Sequence, residues 1–263
     1  MTCNLIVLSL LKVFNCTSIS LVYSHIAFSA YSYTYFIYFQ MPAQMDWVEG
    51  PNGQFRESIA QLMALPGIDE DENGYYYEAA YVMEPDNQPR RTGWLNEILD
   101  DIKVNTPFAL LGSKYKGRSW DGMQDVMPAS LINHINGNAV YNLTHPLFQK
   151  YHEELMREAG TKFAAVPYDY RISQMIHEGR DGTEPEFPFP WIKHPRFGEN
   201  IELHKKPKLA TFWKRHGGGV IKESSVMVNF GEGNYLQEQV PASAALVHGL
   251  NVHKPHNPDT HVS

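Results

Sequence analysis

Helical and strand patterns alternate along the chain after residue 41, and this alternation restricts the fold more than any other feature of the sequence. Strand patterns are rich in aromatic or branched residues, whereas helical patterns repeat apolar residues every three or four positions. The alternating patterns are a helix at 52–62, a strand at 75–83, a helix at 92–102 and a strand at 108–113. Such alternation is typical of α/β proteins. We therefore predict an α/β fold with a mixed sheet flanked by helices.

The rest of the chain carries weaker patterns. Asn52 follows Gly50-Pro51 and is predicted to cap the first helix. Residues up to Tyr141 are rich in Gly, Asp and Asn and predict turns. The later predicted elements are a helix at 146–159 and strands at 220–221, 226–230 and 244–249, with a loop at 179–200.

Charge and cysteine content exclude several classes of protein. The 263 residues carry 22 Lys and Arg against 29 Asp and Glu, a net charge of -7, and no basic run exceeds two residues. We therefore expect no nucleic-acid partner. Both cysteines, Cys3 and Cys16, lie near the start of the chain, which excludes a disulfide-stapled fold. The metal ligands left to the rest of the chain are Asp, Glu and 12 His.

Residues 1–40 differ in composition from the rest. They contain no Asp or Glu and one basic residue, Lys12. The stretch 19–39 has the length of a membrane span, although Ser and Thr interrupt it. Two interpretations stay open: a signal-anchor, or a non-native extension before a core that starts near Met41. The predicted division is a hydrophobic segment at 1–40, an α/β domain at 41–250 and a polar tail at 251–263.

Two carboxylates follow the aromatic strand pattern, in the tripeptide Glu84-Pro85-Asp86. In α/β sheets, ligands bind in the crevice beyond the carboxyl ends of the strands. Carboxylate oxygens suit Mg²⁺ or Mn²⁺, which bridge to substrate phosphates. The alternative is an acidic surface loop without a ligand.

His248 follows the last apolar strand pattern and precedes Gly249. A neutral imidazole at the end of a sheet could supply a nitrogen ligand to the same ion. The alternative is a histidine with a purely structural role.

Four blocks in order carry a family resemblance: Met83 to Leu95, Phe108 to Gly117, His134 to Tyr141, and Val247 to Gly249. Together they resemble GT-A-type nucleotide-sugar glycosyltransferases of plants and algae. The resemblance implies a GT-A-like, Rossmann-like sheet and the transfer of a sugar from a nucleotide-sugar donor to a hydroxyl acceptor on a glycan or protein. It also implies an Mn²⁺ or Mg²⁺ cofactor. The implied metal ligands are Asp86, Glu84 and His248.

The chain departs from this family before the acidic motif. Only residues 41–75 separate the unusual N-terminus from the motif strand, which leaves room for one parallel crossover. The expected nucleoside-binding half is therefore missing, unless residues 1–40 replace it. Two other functions follow as alternatives: a truncated, non-catalytic carbohydrate-binding protein, and a metal-dependent hydrolase that uses Asp86 and His248.

The third block contains the candidate substrate-binding residues His134, Asn136, Gly137 and Asn138, whose polar groups suit sugar hydroxyls. An ordinary Asn-Gly turn is the alternative. We predict that Asp169 binds the acceptor or acts as general base, unless it only forms a turn.

Arg90 and Arg91 lie just beyond the carboxylates. They could contact the diphosphate or only solubilise the start of the next helix, and helix position favours the second interpretation.

The resemblance also implies a location. Two glycosylation sequons, at 15–17 and 142–144, are compatible with a luminal glycoprotein. We therefore expect a Golgi membrane protein with a luminal domain.

Overall fold

A computed structural model describes residues 5–9, 25–28, 32–38, 49–64, 77–84, 87–116, 130, 133–181, 207–230 and 240–248. The α-helices in these ranges are α1 (Glu49–Ala64), α2 (Trp94–Asn105), α3 (Pro146–Arg157), α4 (Tyr168–Asp181) and α5 (Pro207–His216). A 3-10 helix covers Lys162–Ala165. The strands are β1 (Leu5–Ser9), β2 (His25–Phe28), β3 (Ser32–Tyr38), β4 (Ala79–Met83), β5 (Asn87–Pro89), β6 (Leu110–Lys114), β7 (Ile135–Asn142), β8 (Ile221–Glu223), β9 (Met227–Asn229) and β10 (Leu246–His248).

The strands form two mixed sheets. A 7-stranded sheet has the order β2-β3-β1-β4-β7-β6-β8, and a 3-stranded sheet has the order β5-β10-β9. In the large sheet β7 runs antiparallel to both of its neighbours, β4 and β6. Strand β1 is parallel to β3 and β4, and β6 is parallel to β8. The predicted α/β class, with mixed sheets flanked by helices, is confirmed.

Helices cover both faces of the large sheet. Along β4, Ala80 and Val82 join a core with α1, α3, α4 and α5, while Ala79 and Tyr81 join a second core with α2. Side chains alternate between the faces of a strand, so a strand covered on both sides is apolar throughout. This double burial is the physical reason for the continuous apolar pattern of β4.

Asn52 does not cap α1, so this prediction is wrong. The residue lies inside α1 and is buried. Its side-chain amide donates to the backbone oxygens of Ala164 and Val166, each at 2.7 Å, and its Oδ1 accepts from the backbone N of Tyr168 at 2.7 Å. Asn52 therefore serves the first turn of α4, a helix distant in sequence.

The predicted turns up to Tyr141 give way to strand β7, which lies between β4 and β6. Asn138 is buried there, although amides are rare inside sheets. Its polar atoms bond to neighbouring residues, which removes the cost of burying them. Helices α4 and α5 were not predicted either.

The first three strands all lie within residues 1–40. Strand β1 pairs with β4 over its whole length, from Leu5 opposite Ala79 to Ser9 opposite Met83. Strands β2 and β3 lie within the stretch 19–39. Among the described residues, no helix is both long and apolar enough to cross a membrane. The role of residues 1–40 and the predicted domain division stay predictions, and the tail at 251–263 lies outside the described residues.

Candidate functional site

The two sheets meet beyond the carboxyl end of β4. Glu84 directly follows that strand, and Asn87 begins β5 in the small sheet. Across the small sheet, His248 of β10 is the register partner of both Asn87 of β5 and Asn229 of β9. Register partners share one face of a sheet. A row of three polar side chains therefore lies next to Glu84.

Glu84 and His248 are in direct contact. The His248 Nε2 atom lies 3.1 Å from Glu84 Oε2. The other ring nitrogen, Nδ1, lies 2.7 Å from Asn229 Oδ1. Both ring nitrogens of His248 therefore face an oxygen atom. A doubly protonated ring donates to both oxygens, whereas a neutral ring has one nitrogen lone pair, which could bind a cation shared with the carboxylate.

Oxygen and nitrogen ligands of this kind fit Mn²⁺ or Mg²⁺. On the neighbouring strand, Asn87 Oδ1 is buried and meets no hydrogen-bond donor within the described part of the chain. Within the same part, no three His, Cys, Asp or Glu side chains group closely enough to hold a metal ion. Asp86 and Pro85 lie outside the described residues. The structure thus brings together Glu84 and His248, two of the three predicted ligands.

Asn138 connects the third sequence block to the acidic motif. Its Oδ1 accepts from the backbone N of Glu84 at 2.6 Å and from Asn87 Nδ2. Asn136 Oδ1 in turn accepts from the backbone N and Nδ2 of Asn138, at 3.0 and 2.7 Å. These two amides therefore support the residues that flank positions 85 and 86. Sugar binding by this block stays a prediction.

Gly137 lies where several site residues converge. A Cβ atom at this position would lie 2.9 Å from Tyr168 Cζ, still closer to Tyr168 Oη, and 3.0 Å from Glu84 Oε1. The hydroxyl of Tyr141 donates to the Gly137 backbone oxygen at 3.1 Å. Glycine is needed here because any side chain would displace the phenol or the carboxylate.

Asp169 lies in the first turn of α4, on the other side of Gly137. Its Oδ2 accepts from Gly137 N at 2.9 Å, and its Oδ1 accepts from Tyr170 N at 2.7 Å. His134 Nε2 lies 3.7 Å from Oδ2. Burial raises the pKa of Asp169; the nearby His134 opposes this rise, and the charge of Glu84 adds to it. Asp169 thus holds a proton more readily than an ordinary carboxylate.

Arg90 and Arg91 lie between β5 and α2. Arg91 forms a salt bridge with Glu97 and donates to the backbone oxygens of Ala242 and Ser243. Arg90 is exposed, and its backbone N donates to Ala245 O at 2.9 Å. The Arg91 guanidinium therefore ties α2 to the segment before β10, and diphosphate contact by Arg90 and Arg91 stays a prediction.

Several members of the site were not predicted from the sequence: Asn87, Asn229, Tyr141 and Tyr168. Burial raises the pKa of both tyrosines well above the ordinary value, so their phenols stay neutral. Asn229 meets His248 across 19 positions of sequence. No local pattern marks such a contact.

Comparisons of the chain with protein-family models, curated proteins and solved structures give no match. The function is accordingly proposed from the site and from the four sequence blocks.

Proposed function

We propose that this protein is a metal-dependent glycosyltransferase, which moves a sugar from a nucleotide-sugar donor to a hydroxyl acceptor on a glycan or protein. The main support is the 3.1 Å contact between Glu84, which follows β4 of the large sheet, and His248 in β10 of the small sheet. The resemblance of the four blocks had paired these two residues as ligands of one ion. A GT-A-like architecture is part of the proposal, and the mixed sheet with helices on both faces is compatible with it.

Glu84 and His248, with Asp86, would hold Mn²⁺ or Mg²⁺. The bound ion supplies positive charge against the diphosphate that leaves the sugar. Asn229 fixes the imidazole ring through Nδ1, so that Nε2 stays directed at the carboxylate. The contact with Asn229 therefore orients the His248 ring in the protein without a bound ion.

Asp169 is the proposed proton acceptor. A hydroxyl acceptor loses its proton as its oxygen bonds to the donor sugar, and a nearby carboxylate can take that proton. The raised pKa of Asp169 brings its proton affinity closer to what this task needs at neutral pH. The backbone N–H groups of Gly137 and Tyr170 hold the carboxylate in place during the transfer.

Calorimetric titration of the full chain with Mn²⁺ and a panel of nucleoside diphosphates tests the proposal. We expect metal-dependent nucleotide binding. Glu84→Gln and Asp86→Asn should each lose on the order of 3 kcal/mol of transition-state stabilisation, roughly a hundredfold in transfer rate. Asp69→Asn, in the preceding acidic stretch, is the matched control and should change little. If folded Glu84→Gln and Asp86→Asn transfer sugar at the parental rate and with the same Mn²⁺ dependence, the proposed glycosyltransferase function is refuted.

Two further measurements, of sugar binding and of product release without an acceptor, separate the two other functions. Sugar binding without metal-dependent nucleotide binding favours a truncated, non-catalytic carbohydrate-binding protein. Release of product to water in the absence of an acceptor favours a metal-dependent hydrolase.

The proposed location is the Golgi, with the α/β domain in the lumen; an anchor at 19–39 would require β2 and β3 to leave the large sheet. In the second sequon, Asn142 Nδ2 donates to Phe108 O at 2.9 Å, so a glycan on that atom would replace an internal hydrogen bond. An anchor at 19–39 would leave Asn15 on the opposite side of the membrane from a luminal domain, so we expect a glycan at Asn142 only, at the cost of that hydrogen bond. Cell fractionation with glycosidase treatment tests this, and a cytosolic protein without glycan contradicts it.

A further inference from the structure

One buried side chain holds both ends of the short segment between β4 and β5. Asn138 Oδ1 accepts from the backbone N of Glu84 at 2.6 Å and from Asn87 Nδ2. Asn87 also donates to the Glu84 backbone oxygen, through its backbone N and its Nδ2, each at 3.1 Å. A carbonyl oxygen has two lone pairs, and in Asn138 each of them meets a donor from this segment.

A second amide fixes the orientation of the first. Asn136 Oδ1 accepts from Asn138 Nδ2 at 2.7 Å and from Asn138 N at 3.0 Å. The two residues are two positions apart on β7, so their side chains share one face of the strand. With Nδ2 directed at Asn136, the Asn138 oxygen is directed at Glu84 and Asn87.

We propose that Asn138 is a positioning residue, which holds Glu84 and Asn87 in the conformation where the Glu84 carboxylate meets His248. Its link to metal binding rests on the proposed function. An amide suits this position because it accepts from the segment and donates to Asn136. It also adds no negative charge beside Glu84, so the carboxylate stays available to a cation.

Asn138 acts through its neighbours rather than by touching a sugar. It is 5% exposed, and both lone pairs of its oxygen are used inside the protein. Outer-shell partners of this kind commonly change metal affinity by about 10- to 100-fold when they are removed.

The test compares four variants of the full chain: Asn138→Ala, Asn138→Asp, Asn136→Ala and Asn142→Ala. Asn142 is the matched control, because it is an asparagine at the far end of the same strand with its own hydrogen bonds to Phe108 and Thr144. Two quantities are measured: amide hydrogen exchange of a peptide that covers 84–87, and the dissociation constant of Mn²⁺ alone.

We expect faster exchange at Glu84 and about 10- to 100-fold weaker Mn²⁺ binding in Asn138→Ala. Asn138→Asp keeps the acceptor oxygen, so it should restore the protection of the Glu84 amide. Asn136→Ala should shift both quantities in the same direction but less, and Asn142→Ala should shift neither.

The outcomes separate the two proposals. If the parent protein binds no Mn²⁺, the metal-dependent function fails, and the exchange data alone decide on positioning. Unchanged exchange at Glu84, or unchanged affinity in a parent that does bind Mn²⁺, overturns the positioning role of Asn138. If Asn138→Ala does not fold, the decision passes to Asn136→Ala, and parental values in that variant overturn the role as well.

Discussion

Gly137→Ala should destabilise the protein, because the new methyl group has no space. The backbone at Gly137 is held on both sides, by Asp169 Oδ2 at 2.9 Å from its N–H and by the Tyr141 hydroxyl at 3.1 Å from its oxygen. The methyl carbon would lie 2.9 Å from Tyr168 Cζ and 3.0 Å from Glu84 Oε1. Real Cβ atoms almost never come within 3.0 Å of a neighbour. Something in the site must therefore move.

Tyr168 cannot move aside at low cost. Its ring is buried and stacks on Phe55, with 3.9 Å between ring centroids and 11° between the planes. Overpacking of a well-packed core costs about 1–3 kcal/mol. We expect the free energy of unfolding to fall by this amount, and Mn²⁺ binding to weaken if Glu84 is the group that moves.

Urea denaturation of four variants measures the effect: Gly137→Ala, Tyr168→Phe, the double variant that combines them, and Gly53→Ala. The double variant Gly137→Ala/Tyr168→Phe lacks the nearest clashing atom, the phenol oxygen of Tyr168. It should therefore recover part of the stability that Gly137→Ala loses. Gly53→Ala is the control: its methyl group meets nothing within 4 Å and lies in α1, where Ala should stabilise by about 0.4–1 kcal/mol. Parental stability in Gly137→Ala, or strictly additive effects of the two changes at Gly137 and Tyr168, would refute the reasoning.

Three further predictions concern stability. Arg171→Met removes a fully buried cation that pairs with Glu158 and Glu178, so the free energy of unfolding should fall by about 3–5 kcal/mol. The exposed Arg180→Met should cost about 0.5 kcal/mol, and similar urea midpoints for the two variants would contradict this. Because burial raises the pKa of Asp169, the native state keeps this proton at pH values where the unfolded chain has released it. The parent should therefore lose stability relative to Asp169→Asn as pH rises from the ordinary value of 3.8 through the raised pKa, and a difference independent of pH in denaturation curves argues against it. Asn52→Ala should lower the free energy of unfolding by about 1–3 kcal/mol and speed amide exchange in the first turn of α4. Full protection of that turn in the variant would show that the hydrogen bond from Tyr168 N to Asn52 is unimportant.

Local periodicity was enough to predict the elements whose apolar faces pack on a sheet. The predicted helix at 146–159 corresponds to α3 at Pro146–Arg157, and the predicted strand at 108–113 corresponds to β6 at Leu110–Lys114. In both, burial on a defined face imposes a repeat that the sequence displays. Strand β7 was not predicted in this way, because its buried Asn138 is stabilised by hydrogen bonds to residues that are distant in sequence.

The candidate site divides in the same way. The carboxylate of Glu84 at the end of a strand was predicted from sequence, because strand length and a following Pro are local features. The neighbours that define its chemistry were not. Asn138 reaches Glu84 across 54 positions of sequence, and Asn52 reaches Tyr168 across 116.

The sequence by itself determined the α/β class, most elements that have a regular apolar face, and a carboxylate after β4. Only the tertiary structure decided that His248 meets Glu84, that Asn229 holds the far side of its ring, and that Asn138 anchors the backbone of Glu84. The physical reason is that burial of a helix or strand face repeats along the chain. A hydrogen bond between distant residues depends on how the two sheets meet, and it leaves no repeat in the sequence.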